Sequence, residues 1–196
     1  MNILVIRKCL ERSLRRLISL HSTNISLREF RYDDWKAINQ YARLASVSQY
    51  QAWRVQTEVD SQSYLVQLIQ DSACEPRSRY AFAIIENETQ FCIGSAELNI
   101  RDRHNRVGEL AYILHPNYWG KGFATEAAKQ MLSYGFSEQK LHRIFATCDP
   151  RNIGSERVMQ KVGMQKEGKL RENLLLDEGW RDSLIYSLLE YEWKNA

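Results

Sequence analysis

The sequence predicts a single mixed α/β (α+β) domain, and three observations carry that prediction. Segments that alternate like strands are interleaved with segments whose apolar residues recur at helical spacing. A chain of 196 residues is long enough for one domain with a substantial core. Its 44% hydrophobic and 26% charged content matches an ordinary soluble globular protein, and no apolar run approaches the ~18 residues of a membrane span.

The elements follow in order from Ile25. ISLREF alternates and reads as a first strand. DDWKAINQYARLA opens with acidic residues, as a helix N-terminus favours. EVDSQSYLVQLIQDS sets Tyr64, Leu65, Leu68 and Ile69 on one helical face. RYAFAIIE and FCIGSAELNI are two strands joined by the polar turn NETQ, and RDRHNR is a charged loop. VGELAYILHP is a strand stopped by Pro116. A helix then runs to about Phe136, with Ala124, Ala127, Ala128, Met131, Leu132 and Gly135 in one apolar stripe. HRIFATCD is a strand, and NIGSERVMQKVG is a helix ending at Gly163. MQKEGKLRENLLL and WRDSLIYSLLEYEW form a last hairpin across DEG. The count is seven strands and four helices, with no internal repeat and no Pro/Gly-rich linker.

Charge is unevenly distributed. Residues 1–22 carry Arg7, Lys8, Arg12, Arg15 and Arg16 against Glu11, a net +4, so the whole-chain value of +3 leaves −1 for the remainder. A broad nucleic-acid-binding face is therefore not indicated. Ile6, Leu10, Leu14, Leu17 and Ile18 recur at helical spacing within this basic leader. It reads as an added amphipathic helix or arm packed on the body or on a partner; membrane-surface contact and an organellar presequence are the other readings. Cys9, Cys74, Cys92 and Cys148 are scattered without a C-x-x-C pair, so no metal site is indicated. Buried free thiols in a reducing, cytoplasmic compartment are expected.

The stretch HPNYWGKGFATEA, starting at His115, concentrates the chemical signal. A glycine-containing turn that feeds a helix exposes backbone N–H groups with no intrahelical partner, and the helix dipole favours an anion there. Gly120 and Gly122 let a phosphate approach the backbone, and Lys121 adds positive charge. A glycine turn that binds nothing is the competing reading. The stretch is neither a Walker A loop, lacking G-K-[ST], nor a dinucleotide fingerprint, since Thr125 replaces the third glycine.

VGELAYILHPNYWGKGFATEAAKQMLSYGF followed by CDPRNIGSERVMQKVGMQKEGKLRE resembles the GNAT acetyltransferase superfamily. The first segment resembles that family's pyrophosphate-binding motif and the second its helix-four motif. The closest resemblance is to the branch of ribosomal-protein-alanine N-acetyltransferases, and it extends over about residues 25–190. It implies a central, mostly antiparallel twisted sheet of about seven strands flanked by about four helices. It also implies acetyl-CoA as co-substrate, direct acetyl transfer to a primary amine, no metal, and a homodimer. Asn117, Gly120, Lys121, Gly122, Ala124 and Thr125 are the implied cofactor contacts at the turn. Asn117 departs from the Gln or Arg usual at its position, so binding is assigned mainly to backbone N–H groups. Ile113 and Leu114 match positions whose backbone pairs with the pantetheine arm, and Asn152 matches a cofactor contact at the next helix.

Acetyl transfer needs a neutral amine, a polarised thioester carbonyl and protonation of the leaving thiolate. Glu109 shares a strand face with Ala111 and Ile113. A carboxylate among apolar neighbours holds its proton more tightly, which suits a base; a salt-bridged carboxylate is the alternative. Glu97 is a weaker rival on a polar face, with Ser95 and Asn99, that reads as solvated. Ser155 heads the inward face of Val158, Met159 and Val162, where a hydroxyl near a helix N-terminus can serve the leaving thiolate; a local helix cap is the alternative. Many family members carry a tyrosine where Met159 stands. His115 is read mainly as structural, and Trp53 mainly as packing. Two other functions stand beside the enzyme: a non-catalytic acyl-CoA-binding module, and a ribosome-associated protein using the basic leader.

Overall fold

The computed structural model describes residues 18–51, 55, 57–176 and 179–194. One eight-stranded sheet organises the chain: β1 (Ser19–His21), β2 (Ile25–Glu29), β3 (Arg79–Glu86), β4 (Cys92–Asp102), β5 (Val107–Leu114), β6 (Arg143–Cys148), β7 (Gln165–Leu176) and β8 (Gly179–Leu189). Their order is β1-β2-β3-β4-β5-β6-β8-β7. Every neighbouring pair is antiparallel except β5 and β6. The described α-helices are α1 (Trp35–Ala42), α2 (Ala45–Ser48), α3 (Glu58–Ser72), α4 (Phe123–Ser137), α5 (Ile153–Lys161) and α6 (Glu190–Lys194).

Alternation along the strands gives the sheet two buried faces. On one face Phe82, Leu98, Leu110, Ile144 and Leu184 pack against Met131 and Leu132 of α4 and Met159 of α5. On the other, Ala81 packs beneath Ile38 and Tyr41 of α1 and Leu65 and Leu68 of α3. Small residues set α4 close to the sheet: a Cβ added at Gly135 would lie 2.5 Å from Ile144 Cδ1. The start of α3 is closed by a capping box, in which Thr57 Oγ1 accepts from the Asp60 N–H and the Asp60 carboxylate from the Thr57 N–H. No helix among the described residues is long and apolar enough to cross a membrane.

The expected class holds, with corrections at the ends of the chain. The eighth strand is β1, which pairs with β2 through Leu20 and Leu27 and so joins to the sheet residues assigned to the leader. Residues 1–17 of that leader, and the helix or arm expected there, lie outside the described residues. The last strand ends at Leu189 instead of running to Trp193. There the Glu192 carboxylate accepts from the Leu189 N–H at 2.8 Å, and Trp193 stacks on Phe136 with ring centroids 6.1 Å apart. Arg101 and Asp102, read as loop, extend β4. Cys148 is buried as expected and Cys92 half-buried, but Cys74 is exposed; Cys9 lies outside the described residues.

Candidate active site

β5 and β6 pair over three residues only: Val107 with Arg143, Gly108 with Ile144 and Glu109 with Phe145. Beyond that point the strands part, leaving a wedge in the sheet. Because they run parallel, their C-terminal ends lie at the same end of the sheet, and a helix starts from each. β5 leads through the 3₁₀ turn Pro116–Tyr118 into α4, and β6 leads into α5. Crevices beyond the carboxyl ends of parallel strands are where such sheets bind ligands.

The turn into α4 is built from left-handed glycines, Gly120 at φ 77° and Gly122 at φ 89°. A Cβ placed on either would meet nothing within 4 Å, so the space above both is open. The N–H groups from Gly120 to Thr125 have no hydrogen-bond partner among the described residues; pairing resumes at Glu126, whose N–H donates to the Gly122 carbonyl. This run of free donors at a helix N-terminus fits an anionic phosphate. Lys121 is exposed, its Nζ 5.1 Å from the Tyr118 ring centroid. Ala124 and Thr125 are half-buried in the first turn of α4. The Asn117 N–H donates to the His115 imidazole at 3.2 Å, which gives His115 a capping role in the turn.

The two strand residues expected to meet the cofactor differ. The Leu114 carbonyl faces away from β4 and accepts from the Trp119 indole at 2.9 Å. The Ile113 carbonyl faces β4, so closely that a Cβ on Gly94 would lie 2.1 Å from it. The Ile113 carbonyl thus lies on the β4 side, while the alternation of strand pairing turns the backbone of Tyr112 and Leu114 toward the wedge.

Glu109 is the last β5 residue paired with β6. Its surroundings are not the apolar ones expected: Arg101 Nε donates to Oε2 at 2.7 Å, Arg101 Nη2 donates to the same oxygen, and Ala111 beside it is exposed. The ion pair forms because Arg101, at the end of β4, lies next to Glu109 across the strand pair. Oε1 of Glu109 has no partner among the described residues. Glu97 is also unlike its expectation, being 9% exposed beneath α3 rather than solvated. Arg79 Nε donates to it at 2.8 Å and the Tyr64 hydroxyl at 2.9 Å, which fixes the carboxylate as a strut between β4, β3 and α3. Trp53 lies outside the described residues.

On the opposite face, Asn152 caps α5, its Oδ1 accepting from the Ser155 N–H at 3.0 Å. The amide NH₂ of Asn152 has no hydrogen-bond partner among the described residues. Ser155 is the capped residue, and its own hydroxyl lies 3.1 Å from the Tyr112 hydroxyl. Tyr112 also reaches the Ser155 carbonyl, donating at 3.0 Å. Burial raises the Tyr112 pKa, so the phenol stays protonated at neutral pH. Met159, one turn after Ser155, is sealed in the core. The sequence pattern alone does not single out Tyr112. The signals for it were the alternation that turns it away from Glu109 and the absence of a hydroxyl at Met159.

A sheet parted between two parallel strands, with a free N–H run at the mouth of the parting, is the arrangement of a transferase of the GNAT type. A family model described as an acetyltransferase (GNAT) domain matches residues 24–165, and the chain belongs to that family. It is an acyltransferase, of a family in which acetyl-CoA-dependent amine acetylation is typical. Among its relatives is the uncharacterized N-acetyltransferase YnaD of Bacillus subtilis strain 168, 36% identical over 167 residues covering 85% of this chain and 94% of that protein. The [ribosomal protein uS5]-alanine N-acetyltransferase of Escherichia coli K12 is 29% identical over 117 residues, covering 59% of this chain and 60% of the relative. The crystal structure of a GNAT-family acetyltransferase from Bacillus anthracis superposes with TM-score 0.78 at 31% identity, covering 89% of this chain and all of that one.

Proposed function

We propose that this chain moves an acetyl group from acetyl-CoA directly to a primary amine, the α-amine of a protein N-terminus or of a small molecule. The observation that carries the reading is the run of unpartnered N–H groups from Gly120 to Thr125 beneath open space. Those donors would hold the pyrophosphate of CoA, with Lys121 nearby and the Asn152 amide at the next helix. The thioester, when bound, supplies the activated acyl group, and the chain's residues do the rest.

The acceptor has a matching approach. Ala111 is exposed although β5 is a central strand, so the floor beside Glu109 is open to an incoming amine. Glu109 is the proposed base, working through Oε1 while Arg101 holds Oε2. Ser155 is the proposed donor to the leaving sulfur, from the other face of the sheet. The acceptor's own chemistry decides how much the base must do. At pH 7.4 about 0.1% of an amine with pKa ~10.4 is neutral, against roughly a quarter of a peptide α-amine with pKa ~7.8.

The test is acetyl-CoA consumption over a panel of peptides, polyamines and aminoglycosides, with the product identified by mass spectrometry. One acceptor class should gain 42 Da per modified amine, roughly the mass of an acetyl group replacing hydrogen. Acetyl-CoA that binds tightly but is never transferred to any amine rejects the reading.

A further inference from the structure

We propose that Tyr112 is a positioning residue that aims the Ser155 hydroxyl into the wedge, toward the sulfur of bound CoA. The proposal rests on the acetyl-transfer reading for its chemistry and on the β5–α5 contact for its geometry.

The phenol has one proton and two acceptors within reach, the Ser155 carbonyl at 3.0 Å and Ser155 Oγ at 3.1 Å. When the phenol donates to the carbonyl, its oxygen is free to accept the serine proton, and the serine hydroxyl points at Tyr112. When the phenol donates to Oγ, the serine proton is released to point elsewhere. The exchange needs only the rotation of two O–H bonds. Ser155 is held in place through the exchange by its backbone N–H, which donates to Asn152 Oδ1 whichever way the phenol points. Tyr112 stands on β5 three residues beyond Glu109, the last residue paired with β6, so the Tyr112–Ser155 contact borders the wedge.

The chemistry balances without ionising the tyrosine. A C–N bond forms, the C–S bond breaks, and the electron pair leaves on sulfur. The amine nitrogen gives up one proton and the thiolate takes up one. Ser155 Oγ–H hydrogen-bonds the sulfur as its charge develops, where a fixed donor is worth most. Burial keeps the phenol protonated, which makes it an orienting group and not a proton source. The neighbouring turn offers no substitute, since Met159 at the same face of α5 has no donor.

Tyr112→Phe removes one oxygen and retains the ring, and its thermal melt is compared with the wild type to show that the fold is kept. Two readouts follow. The first is the pH at which the thiol of bound CoA ionises, followed by isothermal calorimetry of CoA binding from pH 6 to 10, roughly bracketing the ~8.5 of a free thiol. The variant should raise that value by about half a unit or more, as should Ser155→Ala, because Ser155→Ala removes the donor that favours the thiolate and Tyr112→Phe removes the bond that aims it. In a Ser155→Ala background, Tyr112→Phe should add nothing. The second is kcat, which should fall about tenfold or more in Tyr112→Phe with the KM for acetyl-CoA held within about twofold.

An unshifted thiol in Tyr112→Phe overturns the proposal. So does an equal shift in both backgrounds, which would show Tyr112 acting independently of Ser155, and so does a wild type that fails to bind CoA. A thiol shift that follows the expected pattern in a protein that acetylates no amine supports the positioning role and rejects the acetyl-transfer reading.

Discussion

Gly122 sits at φ 89° and Gly120 at φ 77°, with nothing above either within 4 Å. A side chain in this region of backbone space costs roughly 1–2 kcal/mol and is worse for a β-branched residue. At these positions it would also stand in the space that a phosphate needs to reach the N–H groups. Gly120→Val or Gly122→Val should therefore abolish acetyl-CoA binding in calorimetry while the protein still melts cooperatively, a few degrees lower. Undiminished binding would move the anion site elsewhere. Glu109 calls for a different variant. Its ion pair with half-exposed Arg101 is worth about 0–1 kcal/mol, so Glu109→Gln should leave the melting temperature nearly unchanged. A base typically contributes ~10²-fold or more, and that much should be lost from kcat. Turnover equal to the wild type's would remove Glu109 from the mechanism without touching the proposed reaction.

At the scale of elements, the join between β4 and β5 is the tightest contact around the wedge. A Cβ on Gly94 would lie 2.1 Å from the Ile113 carbonyl, a backbone atom that cannot swing aside. Gly94→Ala should part the two strands and lower stability by about 3 kcal/mol, the upper end of overpacking costs. Gly168→Ala in β7, where a Cβ meets nothing within 4 Å, is the control and should be near neutral in denaturant titration. The same contrast between local and distant causes explains what could be read from the sequence. β3 and α3 coincide with the segments read as strand and helix, because their patterns and the Thr57 cap are local. The glycine turn was legible for the same reason. β1 and α6 were not. The first exists by pairing with β2, and the second depends on Trp193 meeting Phe136 from another helix. The wedge was illegible too, since nothing in β5 or β6 alone says that they pair over only three residues. Arg101 beside Glu109, Arg79 beside Glu97 and Ser155 beside Tyr112 are all contacts between elements, so the side chains were nameable before their partners were.

Over the whole molecule, the elements around the site are tied together by carboxylates that favour the charged form. Burial pushes Asp149 upward, but hydrogen bonds and charge from Arg151 outweigh it, and the carboxyl is held below the usual range. This ties down the segment that joins β6 to α5. Glu167 is likewise lowered by hydrogen bonds from Arg143 and Ser187, which join β7 to β6 and β8. Burial also raises Glu126, but hydrogen bonds from Ser22 and Asn24 outweigh it and bind α4 to the turn before β2. For each group the folded pKa lies below the unfolded value, so the unfolded chain binds more protons in acid. Their stabilisation is therefore complete above the unfolded values, about 4 to 4.5, and is lost as pH falls through the lowered folded values. Urea midpoints should be flat from about pH 7 to 5.5 and should then drop steeply toward pH 3. Asp149→Asn should lower the midpoint at neutral pH and flatten that acid slope, because its titration is removed from the difference between the two states. A slope identical to the wild type's would mean that Asp149 binds its proton equally well folded and unfolded, and that its bonds to Arg151 do not stabilise the start of α5.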